Sequence, residues 1–193
     1  MARYHRGMNI FQTRLPGCLV IEPDVHADAR GFFYEVWNAV RFAAHGLPVQ
    51  FVQHNVSRSQ HGVLRGLHYQ WPGNPQGKLV GVLEGEVYDV AVDLRRDSPT
   101  FGQHVAAILS GENRRQFWIP EGFAHGFLVL SETALVSYLC TAPYDRASDC
   151  ALRWNDARLA IDWPLAQVQL SDKDAAAPFL DAIPPERLPR CRP

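Results

Sequence analysis

Short runs of apolar, β-branched and aromatic residues recur along the chain roughly every ten residues, each closed by turn chemistry. "GCLVIEP", "FFYEVW", "VQFVQHNVS", "GVLRGLHYQ", "GKLVGVLEG", "EVYDVAVDL", "HVAAILS", "RQFWIP", "HGFLVLS" and "TALVSYLC" are separated by Pro-Gly, Gly-Asn, Glu-Gly, Asp-Ser-Pro and Ser-Gly punctuation. That spacing, without long helical segments between, predicts an antiparallel all-β sandwich or barrel. Helices are expected only around "NAVRFAAHG" near Asn38 and "DKDAAAPFL" near Asp172. No repeat, low-complexity tract or linker divides the chain, so residues 1–193 read as one domain. The tail "IPPERLPRCRP" is expected to run extended at the surface.

Alternation along the strands sorts polar residues by face. Lys78, Val80, Val82 and Glu84 share one face, as do Val87, Asp89, Ala91 and Asp93, and as do Val136, Tyr138 and Cys140. Strict alternation sends Arg65 and His68 to opposite faces; Gly66 between them would allow a bulge that turns both inward. Asp93, Arg95, Arg96 and Asp97 run into a turn and read as solvated. His68 and Lys78 do not fit that reading, because their strands are rich in Gly, Leu and Val. A lone histidine there would be a satisfied core residue. A histidine joined by a lysine, an arginine, a second histidine and a tyrosine on adjoining strands points to a polar cavity.

Composition narrows the chemistry. The chain is 47% hydrophobic and 20% charged with a net charge of −1, so no overall basic field recruits nucleic acid or an anionic membrane. Local arginines remain able to bind a small anion. No apolar run reaches the length of a membrane span and "MARYHRGMNIF" lacks a signal-peptide core, so a cytoplasmic protein is expected. The 4 cysteines stand apart without a CxxC pair, which excludes zinc-ribbon and redox-pair readings, and Cys140 reads as a small buried hydrophobe. "IPEGFAH" carries a P-x-G-x-x-H pattern that resembles the second motif of cupin barrels. The H-x-H pair such a metal site needs is absent, since the chain reads His68-Tyr69-Gln70, and no metal is expected. Nucleophile elbows and phosphate loops are missing as well. What remains is acid–base chemistry without a metal or redox cofactor.

"DARGFFYE", "FVQHNVSRS", "VLRGLHYQ", "QGKLVGVLEGEVYDVAVDLR", "SPTFGQ", "FWIPEGFAHGFLVLSE" and "LSDKDAAAP" together resemble the dTDP-4-dehydrorhamnose 3,5-epimerase family, metal-free cupins of nucleotide-sugar metabolism. The likeness runs from about Met8 to about Leu180, leaving residues 1–7 as an extension and the end of the tail unmatched. It implies a cupin-type jelly roll with a few short helices, and inversion of carbons 3 and 5 of a dTDP-4-keto-6-deoxy-hexose without a cofactor. On the matching positions it implies His68 as base, Asp174 as its carboxylate partner, Lys78 as the cation facing the developing enolate and Tyr138 as the acid on the far face. Arg30 and Arg65 become diphosphate ligands, with Gln53, Asn55, Glu35 and Lys173 adding contacts to the substrate. His125 and Asp89 complete the polar lining, and Phe32, Tyr144 or Trp118 offers thymine a platform. The likeness further implies a homodimer with exchanged N-terminal strands, in which Arg30 serves the neighbouring site. His54 departs from the family pattern, and alternation points it away from Gln53 and Asn55. A mono-epimerase would use the same catalytic groups; a non-catalytic nucleotide-sugar binder would have no need of His68, Asp174, Lys78 and Tyr138 together.

Overall fold

The computed structural model describes residues 8–191, so the extension at residues 1–7 lies outside it. Numbered in chain order, strands β1 (Asn9–Gln12), β2 (Leu19–Glu22), β10 (Gln116–Ile119), β7 (Lys78–Glu84), β12 (Thr133–Cys140) and β5 (Gln53–Gln60) form a six-stranded sheet in that spatial order. A five-stranded sheet follows the order β13 (Asp149–Ala151), β6 (Leu64–Gln70), β11 (Phe123–Val129), β8 (Glu86–Asp93) and β9 (His104–Ser110). Strands β3 (Val25–Asp28) and β4 (Gly31–Tyr34) make a separate hairpin. Every pairing between these strands is antiparallel. From β5 to β13 the chain passes back and forth between the two sheets, the jelly-roll arrangement that was expected. All ten expected runs contain strands. β1 and β3 escaped notice because they are almost wholly exposed and carry no alternating burial signal.

Alternation builds the core. Val80, Val82, Phe117, Ile119 and Val136 point inward from the six-stranded sheet and meet Val87, Ala91, Leu109, Phe123, Phe127 and Val129 from the other. The opposite face of the six-stranded sheet packs Leu19, Ile21, Leu79 and Trp118 against Phe42 and Leu47. Phe42 belongs to α1 (Ala39–Ala44), whose first turn is capped by the Asn38 side chain accepting from the Val40 and Arg41 amides. The outer face of the five-stranded sheet is covered by the C-terminal segment through Leu152, Leu159, Leu180 and Ile183. The tail keeps to the surface over most of its described length, as expected, but it is anchored and not simply extended. Ile183 is buried, Pro185–Arg187 turns as a 3₁₀ helix, and Arg187 donates to the Ala147 carbonyl at 2.9 Å. The second expected helix shrinks to the single turn α2 (Asp172–Ala175). Among the described residues, no helix is long and apolar enough to cross a membrane.

Asp93 also departs from the solvated turn expected of it: it is fully buried, while Arg96 and Asp97 are exposed as expected. The turn after β8 folds its own donors back onto the carboxylate. Arg95 reaches it through the backbone amide and Nε, both at 2.9 Å, and through Nη2 at 2.7 Å; Ser98 and Thr100 donate their hydroxyls at 2.7 and 2.6 Å. Burial alone would raise this carboxyl, but these donors outweigh it and hold Asp93 below its ordinary value of 3.8. A carboxylate with a lowered folded value stabilises the fold above that ordinary value and loses its contribution as pH falls through the folded one. Asp93→Asn is therefore expected to cost roughly 2–3 kcal/mol at neutral pH, with Arg95 partly solvated and able to recover some hydration. Denaturant titrations of both proteins should show this gap constant down to about pH 4 and narrowing below it. A gap that persists unchanged into strong acid would remove the carboxylate's charge from the explanation.

Candidate active site

Toward one region of the sandwich the inward face changes from hydrocarbon to polar groups. A cavity of about 430 Å³ is lined there by Arg65, His68, Lys78, His125, Tyr138, Lys173 and Asp174, with Val63, Leu64 and Phe127 as its apolar part. A second chamber of about 230 Å³ shares His68, Lys78, Tyr138 and Lys173 and adds Gln53, Asn55, Gln70, Tyr144 and Asp149. The two together make an elongated polar cleft.

Arg65 and His68 reach the same cavity through an irregularity in β6. His68 pairs with His125 and Arg65 with Phe127, so Gly66 and Leu67 together stand opposite Gly126 alone. This extra residue is the bulge that Gly66 was expected to permit. Gly66 has φ +128°, and a Cβ there would lie 2.5 Å from the Gly126 Cα. Both glycines are required by that approach.

His68 Nε2 and Asp174 Oδ1 lie 2.5 Å apart. The carboxylate arrives from the far end of the sequence. Residue Gln169 bridges to Val63 beside β6, and α2 then begins with Ser171, whose hydroxyl caps the Asp174 amide at 3.1 Å. Burial alone would raise Asp174, but the bonds from His68, Ser171 and the Gly66 amide hold it below the usual carboxylate range, so it stays ionised. An ionised Asp174 fixes the orientation of the imidazole, and Nδ1 is left without a protein partner among the described residues.

Lys78 and Tyr138 face these groups from the six-stranded sheet, on the paired strands β7 and β12. The Lys78 ammonium makes no hydrogen bond or ion pair with a described residue, and burial pushes it below its ordinary value of 10.5 against the opposing pull of Asp149 and Asp89. Burial raises the Tyr138 phenol above 10.0, so it stays protonated at neutral pH. Behind the cavity wall, His125 Nε2 lies 2.9 and 3.0 Å from the oxygens of Asp89, which is fully buried and raised by that burial.

Arg65 is steadied by Ser59, whose hydroxyl accepts from Nε at 3.0 Å, leaving the outer guanidinium nitrogens for a ligand. In the second chamber Gln53 accepts from the Tyr144 amide at 2.7 Å and donates to Asn55 at 3.0 Å. Lys173 is ion-paired with Asp149, to which the Tyr144 hydroxyl also donates at 3.1 Å. Asp149 was not anticipated: an acid in "DRASDC" looks like any surface turn, and only its pairing with Gln70 across β13 and β6 brings it to the cleft. Gln70, where a metal-binding cupin would carry its second histidine, donates to the Asn74 and Pro143 carbonyls at 2.7 and 3.1 Å. Among the described residues, no group of three or more His, Cys, Asp or Glu side chains is placed to hold a metal ion.

Four expected site residues are not brought to the cleft. Trp118 alternates with the inward-facing Phe117 and Ile119, so it lies on the outer side of its sheet, against Phe51. Glu35 holds Asn38 and Arg41 at the start of α1. Arg30 is 90% exposed and paired with Asp28 on the β3–β4 hairpin, and Phe32 on the same hairpin lies under the Arg114 guanidinium. His54 points outward to Ser137, as alternation required.

A family model described as dTDP-4-dehydrorhamnose 3,5-epimerase matches residues 12–182. The dTDP-4-dehydrorhamnose 3,5-epimerase of Salmonella typhimurium strain LT2 is 53% identical over 176 residues, spanning 90% of this chain and 96% of the relative. The enzyme of the same name from Pseudomonas aeruginosa is 54% identical over 169 residues, spanning 86% and 93%. Among solved structures, the dTDP-6-deoxy-D-glucose-3,5-epimerase of Legionella pneumophila Philadelphia 1, in complex with dTDP-4-keto-L-rhamnose, gives a TM-score of 0.93. It is 57% identical and covers 96% of this chain and 100% of that one.

A buried ammonium without a bonded partner is held at the expense of stability. Lys78→Met is expected to raise stability by about 1–2 kcal/mol at neutral pH. The folded value of this lysine is lowered, so the folded wild type binds fewer protons than the unfolded chain and gains stability as pH climbs toward 10.5. The variant's advantage should therefore shrink in alkaline denaturation experiments. A destabilised variant, or an advantage indifferent to pH, would contradict the desolvated charge.

Proposed function

The chain belongs to the dTDP-4-dehydrorhamnose 3,5-epimerase family, and from that premise we propose that it inverts carbons 3 and 5 of dTDP-4-dehydro-6-deoxy-D-glucose to give dTDP-4-dehydro-L-rhamnose. The observation that carries the mechanism is that His68 and Tyr138 meet one cavity from opposite sheets of the sandwich. A hydrogen beside the C4 ketone is weakly acidic, and His68 Nδ1 removes it while Asp174 supports the resulting imidazolium. The electron pair moves onto the ketone oxygen, where the buried Lys78 ammonium stabilises the enolate. Tyr138 then delivers its proton to the other face of the same carbon, which inverts it. His68 releases its proton to solvent and the tyrosinate regains one, so no cofactor is consumed. A second round at the other carbon completes the double inversion.

In this reading Arg65 grips the diphosphate, with Lys173 turning to it from Asp149. Gln53, Asn55 and Tyr144 border the sugar at the Tyr138 end of the cleft, while His125, backed by Asp89, keeps the cavity polar. The distance of Arg30 from this chain's own cleft fits a homodimer in which the N-terminal strands are exchanged and Arg30 and Phe32 complete the partner's site. Phe32 and Phe33, 58% and 66% exposed, give the hairpin an apolar surface suited to that burial. A substrate that is a charged nucleotide sugar also fits a cytoplasmic location.

Proton NMR in deuterated water tests the mechanism. His68→Asn should reduce deuterium uptake at both carbons by about 10²–10⁴-fold, the usual contribution of a positioned acid–base group. Near-normal uptake in a folded variant would move the base elsewhere. Tyr138→Phe keeps the ring but removes its transferable proton. Enolate formation should continue and protons should return to the face they left, so the ratio of exchange to inversion should rise. An unchanged ratio would deny Tyr138 the role of far-face acid.

A further inference from the structure

Among the described residues, three buried side-chain polar atoms have no hydrogen-bond partner: Trp37 Nε1, Arg114 Nε and Ser57 Oγ. Trp37 and Arg114 border a groove on the outer face of the six-stranded sheet. Ser57 alone lines the main cavity. A buried hydroxyl without a protein partner is unfavourable, and an alanine here would avoid the problem. The neighbouring serine on the same face shows what a satisfied hydroxyl looks like, since Ser59 accepts from Arg65. Ser57 has no such duty within the protein, and its side chain turns about a single torsion.

Its position identifies the part of the ligand it would meet. The inward-facing residues of β5 run Asn55, Ser57, Ser59. Asn55 is paired with Tyr138 across to β12, and Ser57 with Val136 one step further along. Ser57 therefore stands between Tyr138, which serves the reacting ring, and the Ser59–Arg65 pair, which serves the diphosphate. In a hexose joined to a diphosphate through carbon 1, the polar group between the phosphate and reacting carbon 3 is the hydroxyl on carbon 2. A neutral hydroxyl that can donate or accept suits another hydroxyl, while the charge of the phosphates is met by Arg65 and Lys173.

We propose that Ser57 hydrogen-bonds the 2-hydroxyl of the hexose and so fixes the lie of the ring between His68 and Tyr138, making the enzyme selective for 2-hydroxy over 2-deoxy substrates. The proposal rests on the epimerase reading above.

The test compares wild type, Ser57→Ala and Ser57→Thr on dTDP-4-keto-6-deoxyglucose and on its 2-deoxy counterpart, following deuterium exchange at carbons 3 and 5. Wild type should favour the 2-hydroxy substrate by about tenfold in kcat/KM, the size expected of one net hydrogen bond. Ser57→Ala should lose about that factor on the 2-hydroxy substrate and stay within about twofold of wild type on the 2-deoxy one. Ser57→Thr, which keeps a hydroxyl, should restore the preference. The melting temperature of the unliganded alanine variant should equal or exceed that of wild type. Equal losses on both substrates, or a lowered melting temperature, would overturn the proposal. Weakened binding of dTDP alone would do so too, by assigning Ser57 to the nucleotide. If wild type exchanges neither carbon of either substrate, the epimerase reading fails and Ser57 loses its role with it. Exchange retained by wild type without the alanine-specific loss defeats the Ser57 assignment alone.

Discussion

The site depends on one close approach of backbone. Where β6 passes β11, Gly66 and Gly126 come together more closely than any side chain allows, and the extra residue in β6 resets its alternation. Without that step Arg65 and His68 would face opposite sides of the sheet. With it, a guanidinium and an imidazole three residues apart enter one cavity, and Leu67 between them turns outward into the apolar layer under the C-terminal segment. One strand thereby presents both an anion-binding group and a titratable base to the same cavity.

Everything else in the cleft is a solution to the problem of keeping charge inside a β-sandwich. Asp174 is satisfied by an imidazole, a capping hydroxyl and a backbone amide; Asp89 by His125; Arg65 by Ser59. Each pairing limits desolvation and also holds a side chain in one orientation, which is what a proton transfer needs. Lys78 and Ser57 are left unsatisfied, and both lie where a ligand would arrive. The fold is fully provisioned where groups orient one another and underprovided where they would touch substrate.

Much of this was legible along the chain. The strand spacing, the helix near Asn38, the shared faces of β7 and β12 and the latent bulge at Gly66 all follow from local pattern, because burial on one face imposes alternation. What escaped depends on distant segments meeting. Asp93 sits in a run that looks like a solvated turn until Ser98 and Thr100 curl back to it. Trp118 looked available as an aromatic platform, but two inward neighbours force it outward. Asp149 reaches the cleft only through a three-residue strand at the sheet edge. The ordered likeness to the epimerase family pointed to His68, Asp174, Lys78, Tyr138 and Arg65, which line one cavity, yet could not tell which groups this chain gathers by itself: Arg30, Glu35 and Phe32 stand apart from its own cleft.

The carboxylate that orients His68 lies on the segment that doubles back after the sandwich is complete, at position 174 of 193. During synthesis on the ribosome, every strand of both sheets emerges before Asp174 does. The residues of every paired strand are therefore made before the carboxylate that fixes the His68 tautomer. The seam between Val63 and Gln169 and the capped turn that follows it are what deliver that partner. The part of the chain made last thus closes the outer layer of the five-stranded sheet and supplies the carboxylate beside His68.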